Sequence, residues 1–343
     1  MRDFEKIYSY ENLYQAHKKA RLGKQTKKEV IQYELFLTEH LARLSYQLKN
    51  HTYRVSGYHK FIIHDPKTRE IQALSYGDRI VQHSLCDNVL GPYLEKRLIY
   101  DNAACRVGKG THFAMNRLSG FMAAYGRKYK NEGYILKCDI RKYFDSIDHE
   151  ILKKKIQGMK LETEVKQLLC MIVDSYEKTE GKGLPMGNQT SQWFALYYMD
   201  GLDRLVKEKL RIRYYTRYMD DMILLHQDRE VLKETLALMS EFVEKELSLE
   251  FNQKTQIHSM KQGVDYLGFH FYLTETGKVI KRLRQSNKKK CKRRLAAFKR
   301  LYKKDKIELC AIERSLKSYM GHLSYGHTYH LRNNICKNFV LRK

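Results

Sequence analysis

The sequence predicts an α+β fold, and three observations carry that prediction. Apolar residues recur at three- and four-residue steps through the first fifty positions, which is the helical period. Two apolar runs rich in β-forming residues enclose an acidic pair, Asp220-Asp221. A densely basic stretch from Lys281 to Lys306 carries its charges on most faces of a helix.

In chain order, Leu13, Ala16 and Ala20, then Val30, Tyr33, Leu37, Leu41, Leu44 and Leu48, mark two helices separated near Gly23-Lys24. Residues 53–76 read as a β-ribbon: a run from Tyr53 to Ile63, a turn at Asp65-Pro66-Lys67, and a return through Ile71 to Leu74. Helices are expected over 77–90 and 111–130, a strand over Tyr134–Cys138, and a helix over 148–157. Gly181 to Asn188 reads as a loop, with Thr190 or Ser191 as the cap of a helix that carries Phe194, Tyr198, Leu202, Leu205 and Leu210 on one face. A hairpin over Arg213–Leu225, a helix over 231–247 and strands near 249–258 and 264–273 follow. A domain boundary is placed at Thr276-Gly277, and no repeats or proline-rich linkers occur.

Composition narrows the class of partner. The 343 residues suggest two or three packed units, and 43% apolar residues suffice for a core. Lys and Arg total 65 against 39 acidic residues, a formal net charge of +26, which favours a polyanion. No run of about 18 apolar residues is present, and Met1–Lys6 lacks the layout of a secretory signal. Nucleic acid is therefore expected rather than a membrane. The seven cysteines are dispersed with no Cys-x-x-Cys, so they read as reduced thiols of a cytoplasmic protein rather than zinc ligands.

Asp139 directly follows the strand Tyr134–Cys138, and Asp220-Asp221 lies in Tyr218-Met219-Asp220-Asp221 near a hairpin tip. An isolated Asp-Asp pair is usually a solvated turn. Here Tyr214-Tyr215 and Met222 to Leu225 are apolar enough for inner strands, and acids between such strands are costly unless a cation neutralises them. Two or three carboxylates at a strand end and an adjacent hairpin tip suit two-metal nucleotidyl transfer, with Mg²⁺ on hard oxygen ligands.

These residues resemble the reverse transcriptases. Lys137-Cys138-Asp139-Ile140-Arg141-Lys142-Tyr143-Phe144-Asp145 resembles the first catalytic block of that family, and Tyr218 to Asp221 the second. Gly183-Leu184-Pro185-Met186-Gly187-Asn188-Gln189-Thr190-Ser191-Gln192 is similar to the loop and helix start beneath the nascent base pair. Glu250 to Thr255 resembles the block whose Lys lies near the nucleotide phosphates, and Tyr266-Leu267-Gly268-Phe269 the primer grip. Arg69-Glu70-Ile71, Asp78 to Gln82 and Cys105 to His112 resemble the fingers blocks. The blocks fall in family order over about residues 60 to 272.

The resemblance implies a right-hand polymerase: fingers over 1–133, a palm with the catalytic site over 134–277 (part of 150–190 going to the fingers), and a basic helical thumb over 278–343. It implies that Asp139 and Asp220 hold two Mg²⁺ ions, with Mn²⁺ as an alternative, Asp221 nearby and the Ile140 carbonyl as a backbone ligand. Phe144 would lie under the sugar and exclude a 2′-hydroxyl. Arg69 would clasp the triphosphate, as a planar guanidinium suits phosphate oxygens, and Lys254 would lie near it. Met186, Gly187 and Gln192 would wall the nucleotide pocket, Gly187 because it brings no side chain. Arg79, Arg106, Tyr218, Leu267 and Gly268 would face template and primer. Core packing for Phe144 and solvated surface for the basic residues are the competing readings.

Residues 281–306 hold fourteen Lys or Arg. So dense a single-sign run repels itself without a counter-charge. In a polymerase thumb, Lys288, Lys289, Lys290, Arg293 and Arg294 would ride on template–primer phosphates. A metal site from His322, His327 and His330 is weighed against stacking or phosphate contacts, and the latter are favoured because no Cys or acid accompanies them.

With no ribonuclease H or endonuclease segment after the thumb, the expectation is a minimal enzyme of bacterial or phage type. Most relatives carry Gln before the loop Gly and Pro after the Ser; Met186 and Gln192 instead resemble diversity-generating retroelements. That resemblance implies cDNA synthesis from a template RNA and dNTPs, misinsertion opposite adenine, and a small accessory variability determinant protein. The alternatives are an antiviral defence enzyme, an endonuclease-less group II intron-like enzyme and, more remotely, an inactive RNA-binding scaffold.

Overall fold

In the computed structural model, which describes residues 1–64 and 68–342, helices outnumber strands and the strands form three antiparallel-rich sheets. The expected turn at Asp65-Pro66-Lys67 lies outside the described residues. Packing divides the chain into two units of interleaved segments. The first holds 1–106, 139–211 and 236–253; the second holds 107–138, 212–235 and 254–343. Among the described residues no helix is long and apolar enough to cross a membrane.

The first unit opens with four helices rather than the expected two, Asp3–Tyr8, Tyr10–Ala20, Lys28–Leu35 and Leu37–Lys49; the break around Gly23 is as expected, and those at Ser9 and Phe36 are additional. Leu13, Val30, Leu41 and Leu48 are buried, as their spacing predicts. The ribbon pairs β1 (Tyr58–Ile63) with β2 (Arg69–Leu74) in the register Phe61↔Ile71. The helix Tyr76–Leu85 widens into a π-helical turn over Cys86–Leu90, where the Gly91 N–H reaches the Cys86 carbonyl. Pro92 explains the widening. It lacks the N–H for an ordinary helical bond, and its ring would crowd the carbonyl one turn back.

Further along, helices span His149–Gln157 and Thr163–Asp174; the second was not anticipated. The helix after the Gly181–Asn188 loop runs over Gln189–Tyr198. Its cap position is Asn188, without a side-chain capping bond, and Thr190 and Ser191 are buried in the first turn instead. The expected single helix through Leu210 breaks at Met199 and resumes as Asp200–Arg204 with a π turn over Leu205–Lys209.

The second unit contains the central sheet apart from Asp139, which is counted in the first. The sheet comprises β3 (Tyr134–Asp139), β4 (Tyr214–Tyr218), β5 (Asp221–His226) and β6 (Gln256–Ser259), in the order β4-β5-β3-β6. Met222, Ile223, Leu224 and Leu225 are all buried, so β5 is covered on both faces. An unbroken apolar run is what such a strand requires. The helix Thr111–Tyr129 lays Phe121 and Tyr125 edge-on against Tyr214. The strand expected at 249–258 is shorter: only Gln256–Ser259 pairs with β3.

A second sheet in this unit joins β7 (Val264–Tyr266), β8 (Phe269–Leu273) and β9 (Val279–Leu283). Strand β9 takes Lys281 to Leu283, the first residues of the basic run expected to be helical. It pairs with β8 in the register Phe271↔Lys281, so the chain crosses Thr276-Gly277 within one sheet. The basic helix begins later, at Gln285–Lys303, and buries only Cys291. Helices Leu309–Leu323 and Tyr329–Asn338 follow.

Candidate active site

The hairpin β4–β5 pairs Tyr218 with Asp221, leaving a two-residue connection, Met219-Asp220. Met219 has φ 55°, the left-handed value that a two-residue hairpin turn demands of its first central residue. That value is strained for a side chain other than Gly, and strain of this kind persists only where the surroundings hold it. Arg217 supplies part of the hold. It is fully buried, and its Nη1 donates to the Met219 carbonyl at 2.9 Å. Asp220 and Asp221 are thus set at the tip, both partly exposed.

Asp221 opens β5, and Asp139 closes β3, its neighbour in the sheet. Two residues before Asp139, the Lys137 ammonium stands 3.5 Å from Asp221 Oδ1 and donates to the Asp265 carbonyl at 2.6 Å. The Tyr266 hydroxyl is pushed well above its usual range, first by complete burial and then by the negative charge of Asp221.

Asp139 is itself gripped. The Asn252 backbone N–H donates to its carbonyl at 2.7 Å and the Asn252 side-chain amide to its Oδ2 at 3.3 Å. The grip extends along the chain: Ile140 bridges Phe251, and the Arg141 N–H donates to the Glu250 carbonyl at 2.9 Å. Segment 250–252 therefore runs antiparallel to 139–141 as a short clamp, in place of the longer strand expected there. Ile140 is buried, its carbonyl oxygen belonging to this clamped stretch.

Phe144 is half-buried in the short helix Tyr143–Ser146, edge-on to Tyr143 at 5.8 Å, and its carbonyl accepts from the Leu184 N–H at 2.8 Å. The 184–188 loop is thereby tied to the segment that follows Asp139. Its other tie is to the ribbon: the Gln72 N–H reaches the Met186 carbonyl at 3.4 Å. Gly187 has φ 114°, so any side chain here would be strained, and its Cβ would meet Ile71 Cγ2 of β2 at 3.4 Å, ordinary contact. Met186 and Gln192 are half-exposed.

The cationic candidates divide. Arg69 and Lys254 are exposed. Arg79 pairs with Glu29 at 2.6 Å and lies over the Tyr76 ring. Arg106 is a correction: it is buried, and its donors reach both Glu95 carboxylate oxygens and the carbonyls of Glu95, Ile99 and Asn102. All five guanidinium N–H groups are used within the unit, which leaves none for a phosphate.

Leu267 (φ 46°) and Gly268 (φ 92°) form the β7–β8 turn, the paired positive values of a type I′ hairpin. The Gly268 carbonyl accepts from the Asn287 side chain at 3.0 Å and from the Arg284 N–H at 3.2 Å. A Cβ at Gly268 would meet Asn287 Nδ2 at 2.9 Å. The start of the basic helix is therefore fastened to this turn. On that helix Lys289, Lys290, Arg293 and Arg294 are exposed and Lys288 is half-buried. Tyr218 is half-buried, its hydroxyl 3.5 Å from Thr111 Oγ1.

The donor chemistry fits a hard divalent cation, since the three aspartates offer oxygen alone. Among the described residues no group of three or more His, Cys, Asp or Glu forms a ready ion cage. Mg²⁺ is commonly held by one or two carboxylates together with substrate phosphates rather than by an all-protein cage, so an incomplete set remains compatible. The His trio is not a ligand set: His322 packs on Phe269, while His327 Nδ1 accepts from the Lys281 N–H at 3.0 Å.

Sequence reading missed Lys137 as a partner of Asp221, Asn252 as the clamp on Asp139, and Arg217 beneath the turn. All three lie inside or beside the recognised blocks, but their pairings depend on strand order and burial, which no local pattern reports.

Residues 63–271 match the family described as "Reverse transcriptase (RNA-dependent DNA polymerase)". Among solved structures, the chain is similar to telomerase from Candida albicans in complex with a fragment of telomeric RNA. The TM-score is 0.50 at 12% identity, over 72% of this chain and 51% of that one. It is also similar to apo telomerase from Candida tropicalis truncated from its C-terminal domain, with a TM-score of 0.49 at 15% identity over 65% and 54%. The chain thus spans about half the length of the telomerase chains it matches. No curated protein matches it. The mixed helix-and-sheet, right-hand polymerase fold expected from the sequence is borne out by the family match and the first of these likenesses.

Proposed function

This chain belongs to the reverse transcriptase family, and on that premise we propose that it copies a template RNA into DNA from dNTPs by two-metal nucleotidyl transfer. The observation that supports this most is the pairing of acids with strand order: Asp139 ends β3, and the neighbouring strand begins at Asp221 after the Asp220 turn.

In this reading Asp139 and Asp220 hold two Mg²⁺ ions (Mn²⁺ substituting), with Asp221 and the Ile140 carbonyl beside them. When bound, such ions lower the pKa of the attacking primer hydroxyl and stabilise charge on the departing pyrophosphate. The chain's own work is orientation. Asn252 fixes one oxygen of Asp139, and Arg217 holds the turn that presents Asp220. Phe144 closes the sugar pocket, Met186, Gly187 and Gln192 form its wall, and Arg69 and Lys254 take the triphosphate. Tyr218, Leu267, Gly268 and Arg79 face the primer–template. The exposed helix face of Lys289, Lys290, Arg293 and Arg294, with Lys288, follows its phosphates. We assign fingers to 1–133, palm to 134–277 and thumb to 278–343, with part of 150–190 going to the fingers.

Primer extension on an RNA template tests the reading directly. Asp139→Asn and Asp220→Asn should each abolish extension while template–primer binding persists. Extension surviving in both variants would overturn it.

The Met186 and Gln192 pattern favours a diversity-generating retroelement enzyme, working with a small accessory protein, over a defence or intron-like enzyme. A repeat pair in the neighbouring DNA that differs only at adenines of one copy would support this; a structured non-coding RNA beside defence genes would favour the alternative.

A further inference from the structure

Lys137 sits where its ammonium does two things at once. It is 3.5 Å from Asp221 Oδ1, and it donates to the Asp265 carbonyl at 2.6 Å. Asp221 is the first residue of β5, and Asp265 lies in β7, directly before the turn Leu267-Gly268. One side chain on β3 therefore bridges the acid-bearing hairpin and the β7–β8 hairpin, which belong to different sheets of the same unit.

Both side chains of the ion pair are about three-quarters covered, at 25% and 23% exposure. An ion pair in such a place is screened far less than one in open solvent. Burial of Asp265 is not the cause of the second contact, because the acceptor there is the main-chain carbonyl. The Asp265 carboxylate is engaged elsewhere, by His270 at 2.8 Å and Arg284 Nε at 2.9 Å. Arg284 immediately precedes the basic helix, and its N–H joins Asn287 on the Gly268 carbonyl. Residue 265 is thus a node: its carbonyl looks to Lys137 and the acids, and its carboxylate looks to the start of the basic helix.

We propose that Lys137 is a positioning residue, a resident counter-charge of Asp221, and that through the Asp265 carbonyl it links cation occupancy at the acids to the order of the β7–β8 turn. The cation part rests on the two-metal reading above. In that reading the ions on Asp139 and Asp220 have Asp221 beside them, and they would compete with Lys137 for its carboxylate. By reciprocity, whatever the ion does to the hold of Lys137, that hold does to the affinity of the ion. Removing the ammonium should therefore tighten ion binding, whereas damage from a merely structural lesion would weaken it.

The experiment uses the full chain without nucleotide or template, with Mn²⁺ as the probe. Its binding is followed by electron paramagnetic resonance, and amide exchange is measured over residues 264–269. Lys137→Met is expected to bind Mn²⁺ at least about threefold more tightly, and to exchange faster at the turn whether or not the ion is present. Lys137→Arg, which keeps the charge, should stay close to wild type in both. In wild type, Mn²⁺ should speed exchange at the turn, and this arm needs no variant to fold. Unchanged affinity in Lys137→Met, or turn exchange in wild type indifferent to Mn²⁺ that is bound, would overturn the proposal. Absence of Mn²⁺ binding in wild type would instead count against the two-metal reading, and the turn exchange of Lys137→Met without ion would still decide the tether.

Discussion

Asn252 holds Asp139 at two points, through a main-chain bond of 2.7 Å to its carbonyl and a side-chain bond of 3.3 Å to its Oδ2. The first fixes the backbone at the end of β3, and the second fixes the rotation of the carboxylate. A reacting group misplaced by about 1 Å can lose a hundredfold in rate. Asn252→Ala should therefore lower kcat for primer extension by roughly ten- to a hundredfold, with a smaller change in the KM for dNTP. Steady-state extension assays measure both, and a kcat within about twofold of wild type would remove Asn252 from the positioning role.

Phe144 is half-buried, in a helix that starts a few residues after Asp139. If it closes the sugar pocket, Phe144→Ala should admit ribonucleotides. Extension with rNTPs alone is the measurement. Loss of stability without any gain in rNTP use would return Phe144 to core packing.

Arg106 and the Lys288–Arg294 cluster should behave in opposite ways. Arg106 fills the carbonyls of Ile99 and Asn102 and both oxygens of Glu95, so Arg106→Met leaves buried acceptors unsatisfied. A cost of about 2–4 kcal/mol is expected, read as a lowered melting temperature with the salt dependence of RNA–DNA binding unchanged. Neutralising exposed Lys289, Lys290 and Arg293 should leave melting near wild type and flatten the salt dependence, by roughly one unit of slope per lost phosphate contact. A steep slope retained by the triple variant would place that face against solvent or protein.

The contrast between these residues shows what the sequence makes legible. The acid-bearing hairpin was readable because an apolar run on each side of Asp220-Asp221 is improbable in a loop, and the helices Thr111–Tyr129 and His149–Gln157 lie within a residue or two of expectation. Helix Thr163–Asp174 carries the same signal in Val165, Leu168, Leu169, Ile172 and Val173, and it was simply not read. Strand β9 was different. Lys281 and Arg282 at its centre belong to the basic run, most of the strand is half-exposed, and it is a strand because β8 offers it an edge. The roles of Lys137, Asn252 and Arg217 share that character, since each depends on which strand lies next to which. The same holds for Arg106, whose charge suggested a phosphate and whose burial says otherwise.

Met186 carries the last prediction. Its carbonyl is tied to β2 through the Gln72 N–H, while its side chain is half-exposed next to Gly187, which has no Cβ to shape the wall. In the family resemblance a Gln at this position reaches the incoming nucleotide. Met offers no comparable donor or acceptor and has three soft torsions, so the nucleotide should be held more loosely. Loosening the alignment of a reacting phosphate slows correct insertion most, because correct pairs gain most from that alignment. The margin over mispairs then shrinks. Adenine and uracil templates, with two Watson–Crick hydrogen bonds to their partners rather than three, have less pairing energy in reserve, and the resemblance to diversity-generating retroelements points to adenine of the two. On that resemblance wild type should misinsert most often opposite adenine, and Met186→Gln should recover part of the accuracy there. Sequencing cDNA made by both enzymes from one RNA of mixed composition decides the matter. Equal error at all four template bases in wild type would defeat the prediction and shift the reading towards a defence enzyme; adenine-specific error that Met186→Gln leaves untouched would locate the cause outside this loop.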